Sequence, residues 1–172
     1  MDSGLAALLG AAVGCAATLG AAVVTGRAQA RSQHAQQNRQ HRRDAYARYL
    51  SALHDRDLAM DAVLDALRSD RPDPAALDER TDRFVALARE VHRACEVVIL
   101  EGPASVADLA SRVTDASADL SYVMRRMAEN ARAGDTTRTT EDAALAAERE
   151  RALYTAIKEF RLAARTALGR TT

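Results

Sequence analysis

Two small groups of polar side chains have residue types that do chemistry in proteins. His92, Cys95 and Glu96 fall within about one helical turn, and His54 precedes Asp57 by three residues earlier in the chain. Histidine, cysteine and carboxylates bind transition metals, but a metal site needs three or four of them to converge. Helical bundles that bind two iron ions supply Glu-x-x-His pairs, and the sequence contains none. We therefore predict no metal site and no cofactor.

Motifs for covalent catalysis and phosphate chemistry are missing as well. The sequence has no Gly-x-Ser-x-Gly segment and no glycine-rich phosphate loop. No cysteine and histidine are arranged with a third group that would orient them for nucleophilic attack. The sequence therefore predicts that the protein is not an enzyme and has no catalytic residue.

Asp57 is an acidic residue on an otherwise apolar stripe. Apolar side chains flank it at helical spacing, namely Leu50, Leu53, Met60 and Leu64. A buried carboxylate needs a polar or charged partner, and an arginine from a neighbouring helix would provide one. Asp57 is therefore the candidate for a buried polar residue. Two other roles are open: it sets the register of helix packing, or it faces a second protomer.

Apolar residues recur at three- and four-residue spacing in four separate runs. Each run predicts an amphipathic helix with one buried face. The runs are Tyr46–Leu67, Leu77–Val98, Val106–Met127 and Ala146–Ala167.

The breaks between these runs have the residues that end and begin helices. Asp73-Pro74 offers a cap and first residue for the second helix, and Gly102-Pro103 separates the second helix from the third. Ser105 and Asp108 have the capping spacing near the third start, and 134–140 is a polar loop. Short connections favour antiparallel neighbours. We predict an all-α fold, with an antiparallel up-down bundle of about four long helices over 44–172.

The N-terminal segment Gly4–Gly26 contains no charged residue. As a helix it is about 34 Å long, which matches a hydrocarbon core of about 30 Å. We predict a single transmembrane helix over 4–26, preceded by a short tail, 1–3. Two processing alternatives are open, cleavage after Ala28-Gln29-Ala30 and lipid attachment at Cys15, but both require a basic segment before the apolar run.

A basic juxtamembrane stretch, 27–43, follows the predicted membrane helix. It contains five arginines and no acidic residue: Arg27, Arg31, Arg39, Arg42 and Arg43. Arginine-rich flanks stay in the cytoplasm. We therefore predict a cell-membrane protein with its N-terminus outside and its bundle in the cytoplasm. The same arginines can bind anionic lipid head groups.

Two surface properties bear on partners. Ala6, Gly10 and Gly14 repeat small residues at four-residue spacing, which lets two membrane helices pack closely. We predict a homo-oligomer that forms through the membrane helix or through the bundle. From Asp44 onward the chain has 19 basic and 23 acidic residues. A nucleic-acid partner needs a basic surface, so we predict none.

The order of parts resembles a group of functionally uncharacterised actinobacterial single-pass membrane proteins. The segment Arg42–Leu50, which reads RRDAYARYL, is the motif-like part of that resemblance. The resemblance implies a short membrane anchor before a helical bundle, and it transfers no activity and no functional residue to this chain. The sequence as a whole predicts a non-enzymatic membrane protein whose bundle is an interaction or scaffold module for an unknown protein partner. The alternatives are a ligand- or metal-binding sensor bundle near His54, Asp57 and His92, and a secreted helical protein.

Overall fold

The chain folds into four α-helices in a computed structural model that describes residues 3–69 and 73–169, with side chains from residue 29 onward. The helices are α1 (Ser3–Arg68), α2 (Pro74–Glu101), α3 (Ala104–Ala133) and α4 (Thr139–Gly169). The described ranges contain no strand, so the prediction of an all-helical fold with four helices is confirmed. The chain divides into two compact units, Met1–Gln40 and His41–Thr172, and the second unit is the helical bundle.

Among the residues whose side chains are described, no helix has an apolar run long enough to cross a bilayer. The predicted membrane helix, 4–26, lies outside those residues. So do its small residues Ala6, Gly10 and Gly14 and the side chain of Arg27.

The boundary between α1 and α2 and the end of α2 follow local chemistry. The Asp73 carboxylate accepts a hydrogen bond from Ala75 N at 3.0 Å, which caps α2 ahead of its first residue, Pro74. At the other end, the N–H of Gly102 donates to Val98 O. A Cβ atom on Gly102 would lie only 2.7 Å from that oxygen, so the close approach requires glycine.

The connection between α3 and α4 depends on a left-handed glycine. Gly134 has φ 65°, and the N–H of Asp135 then donates to Asn130 O at 2.9 Å, which closes the end of α3. At the start of α3 the capping spacing of Ser105 is not used. The helix begins at Ala104, and the residue at its cap position is Pro103, which makes no side-chain cap bond.

Contacts between helix ends establish an up-down-up-down bundle. Arg42 Nε donates to Glu101 O at 2.9 Å, which joins the part of α1 that enters the bundle to the end of α2. Near the start of α2, Arg80 donates to Ala62 O at 3.2 Å, close to the end of α1. Ion pairs join the other antiparallel neighbours, Asp78 with Arg132 for α2 and α3, and Arg112 with Glu159 for α3 and α4.

The core contains one apolar stripe from each helix. The rings of Tyr46 and Tyr49 pack edge-on against Phe160, with centroid distances of 6.0 and 5.1 Å. Such a contact adds about 1 kcal/mol to the free energy of burying the rings. The predicted stripe of α2 is confirmed at its buried members Leu77, Thr81, Phe84, Val91, Cys95 and Val98.

The buried face of α1 is rotated from the predicted one. Three predicted members are half-buried, whereas the residue before each of them is buried: Tyr49 before Leu50, Arg56 before Asp57, and Val63 before Leu64. Both stripes share Tyr46, Leu53 and Met60, because a seven-residue repeat fits steps of three then four and of four then three equally well. Contacts with α3 select the stripe that contains Tyr49 and Arg56.

Candidate functional site

A cavity opens at the end of the bundle where α1 and α3 finish and α4 begins. Its volume is about 460 Å³, within the range of about 300–1,000 Å³ that is typical of ligand pockets. Most of its wall is apolar and comes from six side chains of α1 and α3: Met60, Leu64, Leu67, Leu120, Met124 and Met127.

The inner wall of the cavity is part of the hydrophobic core. Met60, Leu120 and Met124 are at most 2% exposed. Three of the four methionines in the chain line the cavity, and methionine adapts its shape to irregular space because it is unbranched and polarizable. The rim is polar, with Arg68, Asn130, Asp135, Thr136, Thr139 and Glu150. The site therefore combines an adaptable apolar interior with hydrogen-bonding groups at its mouth.

Asp142 is a buried acidic residue in the wall of this cavity, with 2% of its surface exposed. Arg126 donates to both of its carboxylate oxygens, from Nη2 at 2.6 Å and from Nε at 3.3 Å. Asn130 Nδ2 adds a third hydrogen bond at 3.1 Å. The hydrogen bond to Asp142 raises the pKa of Arg126 above its ordinary value. These hydrogen bonds connect the first turn of α4 to α3 and so hold the two helices that form these walls of the cavity in place.

Arg56 is a cation buried in the centre of the bundle, with 2% of its surface exposed. Its Nη2 donates to Ser117 O at 2.6 Å and to Ser121 Oγ, and its Cζ lies 4.4 Å from the centroid of the Phe84 ring. Within the described part of the chain it forms no ion pair, and its Nε has no hydrogen-bond partner. Burial therefore lowers the pKa of Arg56 to about 10, although Asp57 opposes the shift.

Asp57, the predicted buried polar residue, lies half-buried between α1 and α4. Its Oδ1 accepts a hydrogen bond from Tyr154 Oη at 2.6 Å. The observed partner is therefore a tyrosine and not the expected arginine, and the buried charge of α1 belongs to the preceding residue, Arg56. Asp57 and His54 line a cleft of only about 90 Å³, which has room for a few water molecules.

The group His92, Cys95 and Glu96 does not converge on one point. His92 Nε2 lies 3.7 Å from Glu96 Oε1, and both side chains are more than half exposed. Cys95 is 2% exposed and lies beside Thr114 and Tyr49, and burial raises the pKa of its thiol. In the described ranges no three histidine, cysteine or carboxylate side chains are close enough together to hold a metal ion. Cys95 thus serves as a small apolar core residue.

One arginine of the predicted basic stretch belongs to the bundle. Arg42 is half-buried and donates to Glu101 O at the end of α2, where the helix dipole favours a positive charge. Arg31, Arg39 and Arg43 are exposed. Arg42 therefore has a structural role besides the predicted contribution to membrane orientation.

Sequence reasoning missed the cavity and both buried charges. Asp142 had only the capping spacing with Thr139 as a local signal, and its partner Arg126 lies on another helix. Arg56 is flanked by Tyr49 and Val63 at seven-residue spacing. That apolar pair was the signal that could have identified the buried arginine.

Comparisons with models of protein families, with curated proteins and with solved structures found no match.

Proposed function

We propose that this chain is a non-enzymatic, single-pass membrane protein whose helical bundle is an interaction module that binds a small apolar molecule. The observation that carries the proposal is the cavity of about 460 Å³ between α1, α3 and α4. Protein cores are close-packed, and their internal voids rarely exceed the size of a water molecule. An apolar space of this size leaves its wall without contacts, and a ligand that fills it restores them.

The chemistry of the wall defines the ligand class. Six apolar side chains form the interior, so the buried part of the ligand is hydrocarbon or aromatic. Asn130, Thr136 and Thr139 at the rim offer donors and acceptors to one polar head group. A molecule with an apolar body and a hydroxyl head satisfies both regions.

The membrane part of the proposal is supported by the sequence. Residues 4–26 are uncharged over the length of a bilayer core, and the arginines of 27–43 favour a cytoplasmic bundle. Reporter fusions after Arg43 and at the C-terminus test both points. A cytoplasmic signal from both fusions agrees with the proposal, whereas an external signal from either contradicts the orientation.

The ligand proposal is tested with a series of linear alcohols from butanol to decanol and the full chain in lipid nanodiscs. Methionine methyl NMR is the readout, because Met60, Met124 and Met127 line the cavity. We expect saturable shifts of those three methyl signals. The apparent affinity should rise about fourfold per methylene, the equivalent of about 0.8 kcal/mol, until the chain fills the cavity.

Two alanine variants on α4 provide a matched pair. Ala147 lines the cavity, whereas Ala144 is exposed and does not. Ala147→Phe should abolish the methyl shifts, and Ala144→Phe should leave them unchanged. Shifts that are confined to Met1 would mean that the alcohols only enter the bilayer. That result, or equal binding by the two variants, refutes the ligand proposal.

A further inference from the structure

A basic groove runs between α2 and α3 on the outside of the bundle. Four exposed basic side chains line it, Arg89, His92, Arg93 and Arg125, and none of its lining residues is acidic. Arg93 pairs with Glu90, and His92 lies near Glu96. Arg89 and Arg125 form no ion pair or hydrogen bond with any described residue. The groove therefore presents at least two uncompensated positive charges.

The floor of the groove is made of small side chains. Ala88, Ala118 and Ser121 lie between the arginines. Small residues allow the backbone of a partner helix to come close, while the longer arginine side chains reach around it. The positive charge of the groove suits a partner surface with negative charge.

An acidic cluster lies on the groove between α1 and α4. Tyr154 Oη donates to Asp57 Oδ1 at 2.6 Å. Burial is the main reason that the pKa of Tyr154 is raised, and the negative charges of Asp57, Glu150 and Asp61 raise it further. Asp61 and Glu150 make no ion pair or hydrogen bond with a described residue. His54 and Arg161, which line the cleft beside Asp57, bound the cluster on the side where α1 enters the bundle.

The two features lie on opposite sides of the bundle and at the same level. α2 and α3 neighbour each other. The hydrogen bond from Tyr154 to Asp57 and the ring contact of Tyr46 with Phe160 place α4 beside α1. Arg56 links the two sides, because its sequence neighbour Asp57 belongs to the acidic cluster and its hydrogen-bond partner Ser121 lines the basic groove.

We propose that the acidic cluster of one copy of this chain docks in the basic groove of a second copy. The interface joins two different surfaces, so it is head-to-tail, and each copy keeps one free surface for a further neighbour. Copies that share one orientation in a membrane present the two surfaces at the same height. This lateral assembly goes beyond ligand binding and rests on the proposed membrane anchor, and of its charged residues only Glu150 also lines the cavity.

Charge-reversal variants of the full chain test the assembly in lipid vesicles, with energy transfer between labelled copies as the readout. The basic-groove variant is Arg89→Glu with Arg125→Glu. The acidic-cluster variant is Asp61→Arg with Glu150→Arg, which leaves the hydrogen bond of Asp57 intact. Arg48→Glu with Arg151→Glu is the matched control, because both arginines are exposed and line neither surface.

We expect each charge-reversal variant alone to associate about tenfold more weakly than the natural chain, and the control to associate normally. Energy transfer in the natural chain should fall when NaCl is raised from about 50 to about 500 mM, because salt screens exposed charges. Mixing the two variants should restore association, because the natural acidic cluster of one meets the natural basic groove of the other, and the two reversed surfaces are also opposite in charge. That restoration also shows that both variants are folded. Normal association of either variant alone, or no association in the mixture, overturns the proposal.

Discussion

Replacement of Arg56 by methionine tests whether the buried cation stabilises the bundle. We expect Arg56→Met to raise the free energy of unfolding by about 1–2 kcal/mol, although it removes two hydrogen bonds and a contact with Phe84. Methionine has a similar length, is a comparable helix former and keeps a favourable contact with an aromatic ring. The variant therefore removes the buried charge with little change in packing.

The expected gain in stability is the free-energy cost of burying the Arg56 charge less the stabilisation that its hydrogen bonds provide. The pKa of Arg56 falls from 12.5 to about 10, and at about 1.4 kcal/mol per unit this is a cost of about 3 kcal/mol for the charged form. The hydrogen bonds to Ser117 O and Ser121 Oγ return about 1–2 kcal/mol. The loss of these two hydrogen bonds leaves neither serine atom without a partner, because Ser121 Oγ also donates to Ser117 O at 2.9 Å. Buried charges replaced by apolar residues of similar volume give changes in the same direction.

The assay is urea unfolding of the full chain in lipid nanodiscs, followed by far-UV circular dichroism. Arg48→Met is the matched control, since Arg48 is exposed on the same helix, and it should change stability by less than about 0.5 kcal/mol. A loss of more than about 1 kcal/mol in Arg56→Met would refute the reasoning, because the contacts of Arg56 would then outweigh the cost of its burial.

The pH dependence gives a second check on the same reasoning. The pKa of Arg56 is lower in the folded state, at about 10, than its ordinary value of 12.5. Between these two values the unfolded chain binds more protons, so the contribution of Arg56 to stability becomes more favourable as pH rises. The advantage of Arg56→Met should therefore be largest below pH 10 and shrink above it. An advantage that grows above pH 10 contradicts the assignment.

Four further substitutions test other parts of the bundle by the same unfolding assay. Asp142→Asn removes the buried carboxylate that Arg126 and Asn130 bind and should cost about 1–2 kcal/mol, because Arg126 is partly exposed and stays hydrated, whereas the exposed Glu141→Gln should cost less than about 0.5 kcal/mol. Gly134→Ala should cost about 1 kcal/mol, because φ is 65° but nothing lies within 4 Å of the added Cβ. Gly102→Ala should cost more, about 2–3 kcal/mol, because its Cβ would lie 2.7 Å from a backbone oxygen; equal losses would contradict this difference. Burial, followed by Asp57, raises the pKa of Tyr154 above 10.0, so its contribution is present below pH 10 and lost as pH rises through the higher folded value. Tyr154→Phe should remove that part of the alkaline loss of stability, and an unchanged alkaline profile would argue against it.

Much of the fold could be predicted because it depends on signals that are local in the sequence. The cap at Asp73-Pro74 and the stop at Gly102 act on backbone groups within four residues, so their chemistry is visible in the sequence itself. The buried face of α2 was also predictable, since a single three-and-four spacing fits its apolar residues.

The candidate site could not be predicted in the same way, because its parts lie on different helices. Asp142 is held by Arg126 and Asn130 of α3, and the cavity walls come from the ends of three helices. No spacing within one helix encodes how far apart two helix ends lie. The hydrogen bond from Arg42 to Glu101 O could not be predicted for the same reason, because it depends on the end of α2 lying next to α1.

The sequence by itself determined that the bundle is helical, where its helices are separated and which face of α2 is buried. These properties follow from propensity, capping and periodicity, all of which act within a few residues. Only the tertiary structure decided that Arg56 and not Asp57 is buried, and that a cavity remains beside three methionines. Adjacent residues of a helix point about 100° apart, so a smaller rotation buries Arg56 in place of Asp57 and keeps Leu53 and Met60 on the buried face. The neighbouring helices choose between the two faces through the hydrogen-bond acceptors that they bring to Arg56 and Tyr49.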